Sequence, residues 1–249
     1  MKISIITATY NSASTIKDTL RSVSEQSYSD IEHIIIDGAS KDDTLKIVRE
    51  FSNVAKIISE PDKGIYDAMN KGVKSATGDI IAILNSDDFY ADKDVIKKVA
   101  NLFKNDAALE AVYADLVFVD KNNISAIRRK WIAGNFALKN FLFGWMPPHP
   151  TFFVRKEVYE RYGFFNINLK SAADYELMLR FLYKHKIRVA YLPEVIIKMR
   201  LGGQSTGSIK NRLKANKEDR LAWKINNLEP EFYTLWLKPL LKIPQFFGR

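Results

Sequence analysis

The sequence predicts an α/β fold: a mostly parallel sheet flanked by helices, with a helical extension at the C-terminus. Three observations lead there. Short runs rich in β-branched residues alternate with helix-period segments through the first hundred positions. The residues directly after each run are polar. The chain's 249 residues, 47% apolar and 27% charged, are enough for one large domain around a sizeable core. Alternation at this spacing implies right-handed crossovers between parallel strands.

The runs at 3–7, 33–36, 56–58 and 79–84 are continuous and apolar, as strands buried on both faces should be. Between them, 15–24, 42–51 and 65–76 have helical patterns. Further on, 111–120 reads as a strand and 135–143 as a short aromatic helix. Trp145-Met146-Pro147-Pro148-His149-Pro150 cannot be helical and forms a rigid loop. A strand follows at 151–154 and a helix at 173–185, whose Tyr175, Leu177, Met178, Phe181 and Leu182 recur at core spacing. A flexible glycine-rich loop at 202–207, a basic helix at about 209–226 and an aromatic tail complete the chain. The simplest partition is a domain over 1–207 and a basic, aromatic-rich extension over 208–249.

Composition narrows the chemistry. There is no cysteine, which excludes disulfides and thiolate metal sites, and three histidines make a zinc cage implausible. Any metal would be a hard ion held by oxygen, such as Mg2+ or Mn2+. The start reads as a strand and not as a signal peptide, and no apolar run reaches roughly 18 residues, so a cytoplasmic protein is expected. A net charge of +9 suits polyanionic surroundings or simply a solvated basic surface.

Parallel sheets bind ligands beyond the carboxyl ends of their strands. Here those ends carry Ala8-Thr9-Tyr10-Asn11-Ser12, Asp37-Gly38-Ala39-Ser40, Glu60-Pro61-Asp62-Lys63-Gly64 and Asn85-Ser86-Asp87-Asp88. Asp87 and Asp88 can hold a divalent cation against a diphosphate, or one of them can cap the next helix. Asp37 can accept from a base N–H or a ribose hydroxyl, and Tyr10, beyond Ala8, can stack on the base. Lys63 precedes a helix N-terminus, which attracts a diphosphate. Asp67, Asn70 and Lys71 on that helix read as structural. Asp174, at a helix start, has the chemistry of a general base and also that of a cap. His149 can contact phosphate or acceptor from its stiff loop.

These residues resemble the family 2 glycosyltransferases, which have the Rossmann-like GT-A fold. The resemblance covers about residues 2–207 and is most specific in the unbroken block from Ser59 to Gly72, Ser-Glu-Pro-Asp-Lys-Gly-Ile-Tyr-Asp-Ala-Met-Asn-Lys-Gly. It is similar to the bacterial branch that builds exopolysaccharide, colanic acid and O-antigen. The resemblance implies that the Tyr10 segment and Asp37 hold the nucleotide, that Asp87 and Asp88 hold the metal and that Asp174 is the base. Asn85 stands where the family's DxD motif begins, so which acid ligates the ion stays open. It also implies inverting transfer from a nucleotide diphosphate sugar, expected to be UDP-linked, to a glycan or polyprenyl-diphosphate-linked acceptor.

The tail from Phe232 to Phe247 mixes aromatic and aliphatic residues with lysines, downstream of Lys210, Arg212, Lys214, Lys217, Arg220 and Lys224. Such a segment suits peripheral contact with an anionic bilayer, on the inner face of the cytoplasmic membrane, or packing on protein. A non-catalytic nucleotide-sugar-binding subunit is the alternative to an enzyme. A nucleic-acid partner is not expected, because no stacking or groove-reading motif accompanies the charge.

Overall fold

A computed structural model describes residues 1–202 and 209–240. In chain order the strands are β1 (Ile3–Thr9), β2 (Ile31–Asp37), β3 (Val54–Ser59), β4 (Ile80–Ile83), β5 (Phe89–Tyr90), β6 (Ala111–Val119), β7 (Ile127–Trp131), β8 (Phe153–Arg155) and β9 (Val189–Arg200). The helices are α1 (Ile16–Ser24), α2 (Thr44–Arg49), α3 (Ile65–Ser75), α4 (Val95–Asn105), α5 (Lys156–Tyr162), α6 (Ala173–Met178), α7 (Ile209–Ile225) and α8 (Thr234–Leu240). One sheet runs β3-β2-β1-β4-β8-β6-β9-β5, with β7 paired to β6.

The first four strands are parallel, as expected from the alternation, with Thr9 opposite Asp37 and Ile6 opposite Ile83. Beyond β4 the sheet is mixed: β8 runs antiparallel to both β4 and β6, while β6 and β9 are parallel. Apolar residues on both faces of β1 explain its central place. Ile6 and Ala8 join the core under α3 and α6, while Ile3 and Ile5 join the core under α4. Glycine at 72 brings α3 close to the sheet, since a β-carbon there would overlap the Ile6 side chain. His33 of β2 is fully buried, its Nε2 3.1 Å from Thr7 Oγ1, and burial pushes its pKa down to about 3, so the imidazole is neutral.

Several elements depart from the sequence expectation for identifiable reasons. β3 is an edge strand with Lys56 exposed, not a strand buried on both faces. The segment expected as a helix at 135–143 is a 3-10 turn over Leu138–Phe143, ended by Gly144 at φ 83°. The helix from Ala173 continues beyond α6 with π geometry over Leu179–Lys184. β9 carries no clean alternation because Pro193 and Glu194 bulge out between the Leu192–Ala114 and Val195–Asp115 pairs.

The C-terminal helices pack on the domain. Trp223 of α7 is fully buried and donates from Nε1 to Tyr175 Oη at 2.9 Å; burying such a side chain contributes about 1.5–3 kcal/mol. Thr234 at the start of α8 donates to the Leu142 carbonyl at 2.6 Å, and Tyr233 stacks on Phe143. The loop expected at 202–207 lies outside the described residues after Gly202, as do the tail past residue 240 and the side chains of Lys210, Arg212 and Lys214.

Candidate active site

Strand order puts the carboxyl ends of β3, β2, β1 and β4 side by side, and hydrogen bonds lace their loops together. From the β1 loop, Asn11 N–H donates to Ser40 Oγ at 2.8 Å, and Asn11 Oδ1 accepts from Lys41 N–H at 2.9 Å. Ser12 N–H donates to Thr44 Oγ1 at 2.8 Å, and Ser12 Oγ lies 2.9 Å from Ser86 Oγ of the β4 loop. Gly38 is where three loops meet: a β-carbon there would sit 2.5 Å from Asp62 Oδ2 and 3.4 Å from the Tyr10 ring. Ala8 is buried behind this edge, whereas the Tyr10 ring is 59% exposed and free to meet a flat ligand.

Asp37 ends β2 and is fully buried. Its Oδ2 accepts from Ser40 N–H at 3.0 Å and Ser59 Oγ at 2.7 Å, while its buried Oδ1 has no partner among the described residues. A buried carboxylate oxygen without a donor calls for one, and a ligand N–H or hydroxyl would supply it.

The β4 loop holds two carboxylates in succession. Asp88 is fully buried, its Oδ2 accepting from Asn85 Nδ2 at 2.9 Å and its Oδ1 without a partner among the described residues. Burial, and then the charge of Asp87, push Asp88 well above the usual carboxylate range. Burial also raises Asp87, against the opposing charge of Arg200. A divalent cation would answer both the orphaned oxygen and the repulsion, so the pair fits Mg2+ or Mn2+. Among the described residues no third acid or histidine joins them. The remaining ligands would come from phosphate and water oxygens, which suits a hard ion.

Arg200, at the end of β9, fixes this loop. It donates to the Asp87 carbonyl at 2.8 Å, pairs with Asp18 of α1 and lies 5.1 Å over the Phe89 ring. Nothing in the sequence marks it, because its partners lie 113 and 182 positions away.

Asp174 opens α6, half-buried, with Oδ1 accepting from Tyr66 Oη at 3.2 Å and from Tyr175 N–H at 2.8 Å. His149 is buried edge-on to Phe165, and burial pulls its imidazole below the ordinary range, opposed by the nearby Asp174 charge. Lys63 is exposed just before α3. The α3 residues read as structural all hold backbone or pair locally. Asp67 accepts from Lys63 N–H at 3.0 Å, Lys71 binds the Pro61 carbonyl at 2.9 Å and Glu60 at 2.8 Å, and Asn70 clamps Phe165. Tyr66 escaped the sequence reading although it lies inside the most specific block.

Known proteins resemble the chain along this same stretch. The family model for glycosyl transferase family 2 matches residues 4–163. A PGL/p-HBAD biosynthesis glycosyltransferase of Mycobacterium bovis is 30% identical over 197 residues, covering 78% of this chain and 74% of that protein. S. aureus TarS 1–349 in complex with UDP-GlcNAc superposes with a TM-score of 0.73 at 20% identity, over 96% of this chain and 70% of that one. The mannosyltransferase PcManGT from Pyrobaculum calidifontis, in complex with GDP-Man and Mn2+, gives 0.69 at 19% identity, over 96% and 72%. At these identities the two structures speak for the GT-A fold alone. The family match spans every strand-end loop described above, and on that ground the chain belongs to glycosyl transferase family 2.

Proposed function

We propose that this glycosyltransferase moves a sugar, with inversion, from a UDP-linked donor to a hydroxyl of a glycan or polyprenyl-diphosphate-linked acceptor in bacterial surface polysaccharide assembly. The observation that carries the reading is two buried carboxylate oxygens without a partner among the described residues, Asp37 Oδ1 at the end of β2 and Asp88 Oδ1 after β4, at the same sheet edge on either side of β1. On this reading Tyr10 stacks on the base, Asp37 accepts from the nucleoside, and the Ala8 segment lines its seat. Lys63 and the amides opening α3 face the diphosphate, and neutral His149 contacts phosphate or acceptor. Asp87 and Asp88 would hold Mg2+ or Mn2+, which supplies Lewis-acid stabilisation of the leaving diphosphate.

Asp174 accepts the acceptor's hydroxyl proton as that oxygen bonds to the anomeric carbon. The bond from that carbon to the phosphate oxygen breaks, and its electron pair leaves with the diphosphate. One displacement inverts the centre, so an α-linked donor gives a β-linked product.

Thermal melting with UDP-glucose, UDP-N-acetylglucosamine and GDP-mannose, with and without Mn2+, tests the site. A donor at about a hundred times its Kd should raise the melting point by roughly 5–10 °C, with Mn2+ required for most of the rise. Asp87→Ala should abolish the Mn2+-dependent part. Equal shifts in both proteins, whatever the metal, would remove Asp87 from the donor site.

The extension supports peripheral membrane contact at the inner leaflet. Phe232 and Trp236 are 86% and 74% exposed, beside Tyr233 and Phe143, and α7 exposes Leu221 and Ile225 among Lys217, Arg220 and Lys224. Among the described residues no helix is long and apolar enough to cross a membrane. The double variant Phe232→Ser/Trp236→Ser should stop flotation with phosphatidylglycerol vesicles while its melting point stays unchanged. Flotation equal to wild type would assign these rings to a protein contact.

A further inference from the structure

The block from Ser59 to Gly72 is the most specific stretch of the sequence, yet the donor site uses only its beginning. The rest is α3, and two of its residues, one turn apart, act on the same loop. Asn70 exchanges two buried hydrogen bonds with the backbone of Phe165, Nδ2 to its carbonyl and its N–H to Oδ1, both at 2.9 Å. Tyr66 stacks on the Phe165 ring, with centroids 5.8 Å apart and planes 23° apart. Phe165 also meets the His149 ring, with centroids 5.5 Å apart and planes at 87°. The Tyr66 ring is thus fixed by stacking on a residue that Asn70 immobilises. Its hydroxyl ends at Asp174 Oδ1, 108 positions along the chain.

That carboxylate is divided in its duties. Oδ1 accepts from both the Tyr66 hydroxyl and the amide of Tyr175, whereas Oδ2 has no hydrogen-bond partner among the described residues. Two donors on one oxygen fix the plane of the carboxylate and leave the other oxygen's lone pairs for an incoming hydroxyl. Burial, and then the charge of Asp174, raise the Tyr66 phenol above its ordinary range, so it remains a donor across working pH.

We infer that Tyr66 is a positioning residue for Asp174: its hydroxyl holds Oδ1 so that Oδ2 is the atom that takes the acceptor's proton. The inference rests on the assignment of Asp174 as base. It also gives α3 a second role, linking the loop that faces the donor diphosphate to the group that activates the acceptor.

Tyr66→Phe removes the hydroxyl and keeps the ring on Phe165. Release of nucleoside diphosphate from the best donor of the panel above, with Mn2+, should show kcat lowered about tenfold or more. KM and the donor-induced rise in melting point should stay at wild-type values, whereas a merely structural role would move both. Crystal structures of wild type and variant give a readout independent of turnover, in which Asp174 should leave its wild-type rotamer in the variant. Wild-type kcat, or an unmoved Asp174 where no donor of the panel turns over, overturns the inference. If Asp174→Asn itself keeps turnover, the base assignment fails instead. An inactive Asp174→Asn beside a fully active Tyr66→Phe strikes out only the role of Tyr66.

Discussion

Asp174→Asn is expected to lower turnover by about a thousandfold while leaving donor binding near wild type. The substitution is isosteric, and the side-chain oxygen of asparagine can still accept from the Tyr66 hydroxyl and the Tyr175 amide, so the start of α6 keeps its geometry. The group replacing Oδ2 is an amide nitrogen, whose lone pair is delocalised into the carbonyl and does not take a proton. The loss therefore falls on the step in which the acceptor oxygen must shed its hydrogen as it attacks. Steady-state kcat, set against donor-induced thermal shifts, separates that step from binding. Turnover within tenfold of wild type would remove Asp174 from the proton-accepting role.

Glu176→Ala should cost about 3–5 kcal/mol of stability and lower the melting point by roughly 10 °C. Glu176 is 1% exposed and accepts from Arg180 Nε at 2.9 Å and Nη2 at 3.0 Å, and from Asn226 Nδ2 at 2.9 Å. Arg180 in turn donates to the carbonyls of Tyr162, Gly163 and Phe164. Truncating the acid leaves a half-buried guanidinium without its counter-charge and breaks the tie from α6 to Asn226, just past the end of α7. It also loosens the segment that leads into Phe165. Urea unfolding measures the cost directly, and a loss below about 1 kcal/mol would mean that water replaces the carboxylate there.

The parallel half of the sheet was legible because both faces of β1, β2 and β4 are buried, which forces unbroken apolar runs in the sequence. The same logic misread β3, which is short and apolar at its centre but lies at an edge with Lys56 in solvent. The mixed half was harder to read. β5 has two residues, β9 has a bulge at Pro193, and β7 is a polar outer strand. Candidate site residues were legible where they follow a readable strand, as Asp37 and Asp87 do. Arg200 and Tyr66 were not: each acts through a partner more than a hundred positions away, and although Tyr66 lies inside the specific block from Ser59 to Gly72, nothing local ties its hydroxyl to Asp174. Glu176 sits among core residues at helical spacing, and only its neighbours in space reveal a buried ion pair.

The clamp that Arg200 makes on Asp87 and Asp18 has a consequence for biogenesis. The candidate site residues Tyr10, Asp37, Asp87 and Asp88 lie within the first ninety positions, yet the guanidinium that braces their last loop arrives only with residue 200. A nascent chain halted before β9 could pair its four parallel strands, but the carbonyl of Asp87 would lack its guanidinium donor. Bracing of that loop is thereby deferred until residue 200 has left the ribosome, since a contact of such sequence separation carries a large loop-closure cost.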